Sequence, residues 1–125
     1  MSNVLNLTTI TRIYHTTEGD LHILQEASLS LNAGELVALI GPSGSGKSTL
    51  LHVAGLLDTP QTGHITIAGM DASEADDATR TRLRNQHIGF IYQFHNLLPE
   101  LTAEENVMMP MLIAGAKRAE ASARV

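Results

Sequence analysis

Residues 41–49 follow the pattern Gly-x-x-x-x-Gly-Lys-Ser/Thr and come directly after an apolar run at residues 36–40. The glycines permit a tight loop whose backbone N–H groups point inward at a phosphate, and a helix that starts at the end of the loop adds a partial positive charge. In such a loop Lys47 reaches the β and γ phosphates, and the hydroxyl of Ser48 binds Mg²⁺. The pattern therefore predicts a strand, a loop that binds a nucleoside triphosphate, and a helix.

The predicted nucleotide-binding residues are those of the loop itself. The alternative is a glycine-rich turn that only joins a strand to a helix, but the pattern seldom arises by chance in a chain of this length. The residues concerned are Gly41, Pro42, Ser43, Gly44, Ser45, Gly46, Lys47, Ser48 and Thr49, of which Ser48 is also a predicted metal ligand.

Composition narrows the class of protein. With 125 residues, 43% of them hydrophobic, the chain has material for one compact domain. Its net charge of −5 and the lack of a basic block argue against nucleic-acid binding. No cysteine is present, which excludes disulfides and thiol catalysis and is typical of a reducing cytosol. The N-terminus lacks the pattern of an export signal, so we expect the protein to stay inside the cell.

The predicted secondary structure begins with β-strands. Apolar and polar residues partly alternate at residues 5–14 and 21–31, with a turn at 17–20 between them, which indicates two or three antiparallel strands. A turn at 33–35 leads into the apolar run 36–40. Because that run is unbroken, it predicts a buried parallel strand covered on both faces.

The rest of the chain predicts helices and shorter strands. Thr102 and Glu105 have capping-box spacing and open an apolar helix that Pro110 interrupts. In chain order the predicted elements are a helix at 47–57, a break at 58–63, a strand at 64–69 that ends at a glycine turn, a polar helix at about 76–85, a strand at 87–92, the apolar helix to about 113, and the start of another helix within 114–125.

Four features in the same order make the chain resemble the N-terminal half of an ABC transporter ATP-binding subunit. Tyr14 ends a strand, Gly34 and Glu35 precede the loop strand, residues 55–63 form a turn after the helix, and Gln93 follows a strand. The resemblance implies an α/β fold: a P-loop NTPase core with a partial parallel sheet and an antiparallel β subdomain. Residues 1–125 would then be the N-terminal portion of one nucleotide-binding domain, with the C-terminal half absent.

The resemblance also implies roles for two residues outside the glycine-rich loop at residues 41–49, which is the Walker A loop of the family. Tyr14 would stack on the adenine of ATP, the alternative being an ordinary packing tyrosine. Gln93, as the family's Q-loop glutamine, would position the attacking water and contact Mg²⁺, the alternative being a plain loop residue. The implied cofactors are ATP and Mg²⁺.

Residues 83–107 are most similar to the lipoprotein-releasing branch of the family, while macrolide-efflux and cell-division ATPases share much of this segment. The branch implies a homodimer of ATPase subunits, peripheral on the cytoplasmic face of the inner membrane and bound to permease subunits. Binding to the permease would use the region between Phe94 and Leu112. Its methionines, Met108, Met109 and Met111, are either core residues or part of a pliable surface that receives a partner helix.

Three motifs of the family do not occur in this sequence: the Leu-Ser-Gly-Gly-Gln signature, the strand ending in Asp-Glu, and the switch histidine. The six histidines are interpreted as surface or packing residues, and the acidic residues at 71, 74, 76 and 77 as a solvated face. We therefore expect that the chain alone does not hydrolyse ATP. The alternatives are a nucleotide-binding module without turnover and another P-loop enzyme, such as a kinase or GTPase, against which Gly63 and Gln93 argue.

Overall fold

The computed structural model describes residues 2–125, which divide into two compact units rather than the single one that composition suggests. The first unit ends at Arg80 and the second extends from Thr81 to Val125. The elements, in chain order, are β1 (Asn3–Thr16), β2 (Gly19–Asn32), α1 (Lys47–Ala54), β3 (Thr62–Ile67), β4 (Met70–Asp71), α2 (Asp77–His87), α3 (Ala103–Ile113) and α4 (Arg118–Ser122).

The first unit is built on a four-stranded antiparallel sheet with the strand order β2-β1-β3-β4. β1 and β2 form a hairpin whose turn lies between Thr16 and Gly19, where the Thr16 hydroxyl donates a hydrogen bond to the Gly19 carbonyl at 2.7 Å. This hairpin confirms the antiparallel strands expected from the alternating pattern. The strand expected at 64–69 is β3, which begins and ends two residues earlier. Ile65 and Ile67 of β3 are buried two residues apart, as period-two alternation requires. Leu7 and Ile10 of β1 are also buried although they are three residues apart, because the pairing of β1 with β2 is irregular between them.

Two predicted strands, 36–40 and 87–92, are absent from the described part of the chain. His87 is instead the last residue of α2, and neither segment is paired with another strand. Most of their apolar side chains are exposed: Leu36 has 98% of its surface accessible and Ile91 is fully accessible, while Ile88 and Phe90 are half-buried. The physical reason is that a buried parallel strand needs neighbouring strands on which to form its hydrogen bonds. The antiparallel part of the predicted sheet is therefore present, and the parallel part is not.

The helices follow their sequence signals, with shifted ends. α1 ends at Ala54 rather than near residue 57, because Leu56 takes a left-handed conformation (φ 60°) and the Leu57 N–H bonds back to the His52 carbonyl at 2.8 Å. α3 has the predicted capping box between Thr102 and Glu105, and it continues through Pro110 without ending. Among residues 2–125, no helix is long and apolar enough to cross a membrane.

Buried apolar side chains of the second unit come from three helices: Leu83 of α2, Met108 of α3 and Ala121 of α4. The burial of Met108 favours the core interpretation for that methionine, while Met109 and Met111 are only half-buried.

Candidate nucleotide-binding site

The glycine-rich loop between β2 and α1 turns sharply and opens into a helix. Ser45 N–H donates to the Pro42 carbonyl at 3.2 Å, and both Gly44 (φ 79°) and Gly46 (φ 94°) take conformations that favour glycine. The first hydrogen bond of α1 joins the Leu50 N–H to the Gly46 carbonyl at 2.9 Å. The N–H groups of the first turn consequently lack acceptors within the helix and carry its partial positive charge.

The loop and the start of α1 border a cavity of about 430 Å³, within the usual range for a small-molecule site. Six of the nine predicted loop residues line it, together with Ile23 of β2. Gly41, Pro42 and Ser45 belong to the same loop but not to the cavity wall. The lining residues are Ile23, Ser43, Gly44, Gly46, Lys47, Ser48 and Thr49.

The Lys47 side chain folds back across its own loop. Its Nζ donates hydrogen bonds to the carbonyl oxygens of Gly41 at 2.6 Å and Pro42 at 2.7 Å, and reaches the Ser45 Oγ at 3.4 Å. All three acceptors are neutral, and no carboxylate of residues 2–125 forms an ion pair with Lys47. Lys47, a residue of the cavity wall, therefore carries a positive charge that no carboxylate of residues 2–125 neutralises, and such a charge attracts phosphate.

Gly46 is needed for space as well as for conformation. A Cβ at this position would lie 3.0 Å from the Ile23 carbonyl oxygen and 3.1 Å from a Leu24 methyl carbon. β2 therefore packs closely against the end of the loop, at the point where α1 begins.

Tyr14 lies outside the cavity wall and belongs to a polar cluster with Arg12 and Asp58. Its hydroxyl donates to the Asp58 Oδ2 at 2.8 Å, and the Arg12 Nε donates to the same oxygen at 2.9 Å. The guanidinium carbon of Arg12 lies 4.3 Å from the centre of the Tyr14 ring, a cation–π contact. The sequence did not lead us to predict that Tyr14 contacts Arg12 or Asp58. Arg12 could have been expected, because it lies two residues away on the same strand, a spacing that places side chains on one face.

The ion pair of this cluster stays charged at neutral pH. Burial by itself would raise the pKa of Asp58, but hydrogen bonds from Arg12, Tyr14 and the Thr59 N–H outweigh it and hold that pKa below its ordinary value of 3.8. The hydrogen bond to Asp58 likewise raises the pKa of Arg12. Because the Asp58 pKa is lowered on folding, its contribution to stability is complete above the ordinary value and is lost as the pH falls through the lowered one.

Gln93 lies in the second unit, in a segment without regular structure, and its side chain is exposed. Its role toward water and metal stays a prediction. The acidic residues Asp71, Glu74, Asp76 and Asp77 are also exposed, and within residues 2–125 no three His, Asp or Glu side chains converge as a metal cluster. All six histidines are exposed, which confirms them as surface residues.

Comparison with known proteins gives consistent matches. A family model described as ABC transporter matches residues 24–125. The lipoprotein-releasing system ATP-binding protein LolD of Hyphomonas neptunium is 53% identical over 97% of this chain and 53% of its own length. LolD of Cereibacter sphaeroides is 50% identical over 99% of this chain and 56% of its own. The chain thus spans about half the length of the curated relatives it matches.

Solved structures agree with the sequence matches. The dimeric structure of MJ0796, a bacterial ABC transporter cassette, has a TM-score of 0.89 and is 36% identical, covering 97% of this chain and 53% of that one. A second structure of the same cassette, in a post-hydrolysis state bound to ADP and Pi, matches equally well.

Proposed function

The chain belongs to the ABC transporter family, as part of an ATP-binding subunit, and from that membership we propose that it binds ATP together with Mg²⁺ in the cavity beside Lys47. The proposal is carried by one observation: Lys47 and the next two residues of α1 line one cavity beside the glycine-rich loop. The Lys47 ammonium has no carboxylate partner among residues 2–125, and the N–H groups of the first turn lack acceptors within the helix. Both groups attract anions, and the loop excludes side chains that would block a phosphate.

Each part of the site would bind a different part of the nucleoside triphosphate and its metal ion. The first turn of α1 offers backbone N–H donors and its partial charge, while Lys47 exchanges its carbonyl partners for phosphate oxygens. The Ser48 hydroxyl, which lines the cavity, would hold Mg²⁺, and the metal when bound neutralises charge on the phosphates. Tyr14 supplies the aromatic surface for the base.

Tyr14→Ala tests the base contact. We expect ATP affinity to fall by about 1 kcal/mol, while affinity for inorganic tripolyphosphate, which has no base, is unchanged. Titration calorimetry with both ligands makes the comparison. Tyr92→Ala is the matched control, because Tyr92 lies in the second unit, where its ring stacks on Phe90 with centroids 5.5 Å apart. An equal fall for both ligands would mean that Tyr14 only supports packing.

We further propose that the intact subunit powers lipoprotein release as a dimer on the cytoplasmic face of the inner membrane, bound to permease subunits. The names of the LolD relatives support lipoprotein release over the macrolide-efflux and cell-division branches, and the dimeric cassette supports the dimer. In the second unit, Phe94 (74% accessible), Leu97 and Leu98 are exposed apolar side chains of the kind that anchor a partner helix.

Leu98→Asp tests the permease contact. Asn106 fixes the Leu98 backbone, accepting from its N–H at 2.8 Å and donating to its carbonyl at 3.1 Å, so the side chain is held at the surface. In a complete subunit we expect the aspartate to abolish co-purification with the permease, because it places a charge in an apolar contact, and to leave ATP binding unchanged. Met70→Asp, at an exposed position in the first unit, is the control. Undiminished co-purification of Leu98→Asp would contradict the proposal.

We expect no steady-state ATP hydrolysis by the 125-residue chain. Phosphoryl transfer depends on groups that position water and stabilise charge, and the sequence contains neither the acidic strand end nor the signature that supply them in the family. A phosphate-release assay checks this, with Lys47→Ala as the background control. Turnover within about tenfold of a typical enzyme rate of roughly 10 s⁻¹, abolished in that variant, would show that the catalytic groups have been misassigned.

A further inference from the structure

Asp58 holds Tyr14 and Arg12 through a single carboxylate oxygen. The Oδ2 accepts from the Tyr14 hydroxyl at 2.8 Å and from the Arg12 Nε at 2.9 Å, while the Oδ1 accepts from the Thr59 N–H at 2.8 Å. About four-fifths of both the Asp58 and the Arg12 side chains is buried. A partly buried, charge-assisted network of this kind restricts all three side chains more than a surface ion pair does.

The backbone of Asp58 is fixed to α1, the helix that follows the phosphate loop. Asp58 follows α1, and its N–H bonds to the His52 carbonyl of that helix at 3.2 Å. The buried Arg80 donates from its Nη2 to the Leu56 and Asp58 carbonyls, each at 3.0 Å. α1 begins at Lys47 and has eight residues, so Asp58 stands beyond the opposite end of a helix about 12 Å long.

Arg12 covers one face of the Tyr14 ring. Its guanidinium carbon lies 4.3 Å from the ring centre, and its Nη1 donates to the Ile13 carbonyl at 3.0 Å. While the ion pair is intact, a base can stack only on the face opposite Arg12. The cation behind the ring also draws electron density from it, which favours stacking with an electron-rich purine.

We propose that Asp58 and Arg12 are positioning residues for the base of the bound nucleoside triphosphate: they orient the Tyr14 ring and tie it to the helix that carries the phosphate loop. The proposal rests on the proposed ATP binding. Asp58 then couples the two halves of the ligand site, because the base platform and the phosphate loop are attached to opposite ends of α1. Preference for ATP over a bare triphosphate depends on Asp58 as well as on Tyr14.

The test separates positioning from simple stabilisation. In the full chain, affinities for ATP and for inorganic tripolyphosphate are measured by calorimetry for Asp58→Ala, Arg12→Gln and Tyr14→Phe. We expect ATP affinity to fall by about 3- to 5-fold in each variant, which is no more than the loss in Tyr14→Ala, with tripolyphosphate affinity unchanged within about twofold. Asp58→Asn keeps an acceptor for the tyrosine hydroxyl but loses the ion pair, so an intermediate ATP affinity is expected.

A spectroscopic measurement reports on the ring directly. The chain has no tryptophan and two tyrosines, so Tyr92→Phe leaves Tyr14 as the sole tyrosine fluorophore. We expect ATP to quench its emission in that parent, and Asp58→Ala to reduce the quenching at saturating ATP, because the freed ring stacks less completely. A merely structural role would lower the melting temperature without changing the quenching at saturation.

The outcomes distinguish the inference from the function on which it rests. If Tyr14→Ala leaves the preference for ATP over tripolyphosphate unchanged, the base contact itself is absent. If Tyr14→Ala removes the preference while Asp58→Ala and Arg12→Gln retain it, only the positioning role is overturned. Tyr14→Phe keeps the ring and deletes one hydroxyl, so it remains informative should Asp58→Ala not fold, and parental ATP affinity in this variant would refute the anchoring by Asp58.

Discussion

Lys47→Ala is expected to weaken ATP binding by about 1.5 to 3 kcal/mol, or about 10- to 150-fold. The Lys47 ammonium makes hydrogen bonds only to neutral oxygens of its own loop, so it is free to exchange them for stronger, charge-assisted bonds to phosphate. Removing it leaves the N–H groups of α1 as the main source of positive potential at the site. The affinity is measured by titration calorimetry.

Lys117→Ala is the matched control for this experiment. The chain has no other lysine, so both variants change the net charge equally, and Lys117 is exposed in the second unit. We expect the control to bind ATP as the parent does. Equal affinity in Lys47→Ala and Lys117→Ala would remove Lys47 from the binding site and leave only a general effect of charge.

Gly63→Ala should destabilise the first unit by about 3 to 5 kcal/mol, from backbone strain and overpacking together. Gly63 is the second residue of β3 and has a φ of 112°. A Cβ at this position would lie 2.8 Å from both the Thr8 carbonyl oxygen and the Ile10 Cα of β1. Both are backbone atoms in the middle of the sheet, which cannot move aside without breaking the β1–β3 pairing.

Gly69→Ala provides the comparison at a glycine in the turn between β3 and β4. Gly69 also has a positive φ (79°), but nothing lies within 4 Å of the added Cβ, so only the conformational strain of about 1 to 2 kcal/mol applies. Urea unfolding followed by circular dichroism gives both free energies. If the two variants lose equal stability, close contact between Gly63 and β1 is not the reason for the glycine.

Local patterns predicted those parts of the fold that local interactions determine. The hairpin turn before Gly19 and the capping box at Thr102 depend on residues within a few positions of each other, and both are present. The prediction of strands at 36–40 and 87–92 was wrong, because strand formation depends on residues that are distant in the sequence. An apolar run identifies a segment that can pair, but the pairing partner is set by the rest of the sheet, which periodicity does not describe.

The sequence likewise predicted some residues of the candidate site and missed others. The loop pattern identified Lys47 and Ser48 because its chemistry is contained in nine consecutive residues. Arg12 and Asp58 are separated by 46 positions, and Asp58 was interpreted only as part of the segment that ends the helix. No spacing rule connects a strand residue to a turn that distant; only the packing of α1 against the sheet brings them together.

The phosphate loop lies close to β2 at the point where it joins α1. A Cβ on Gly46 would lie 3.0 Å from the Ile23 carbonyl oxygen and 3.1 Å from a Leu24 methyl carbon, whereas the preceding residues 36–40 belong to no sheet. A substitution at Ile23 or Leu24 of β2 therefore changes the immediate surroundings of the loop. Ile23 also lines the cavity. It is an apolar part of the wall of an anion site, because its side chain has neither a charge nor a hydrogen-bond donor.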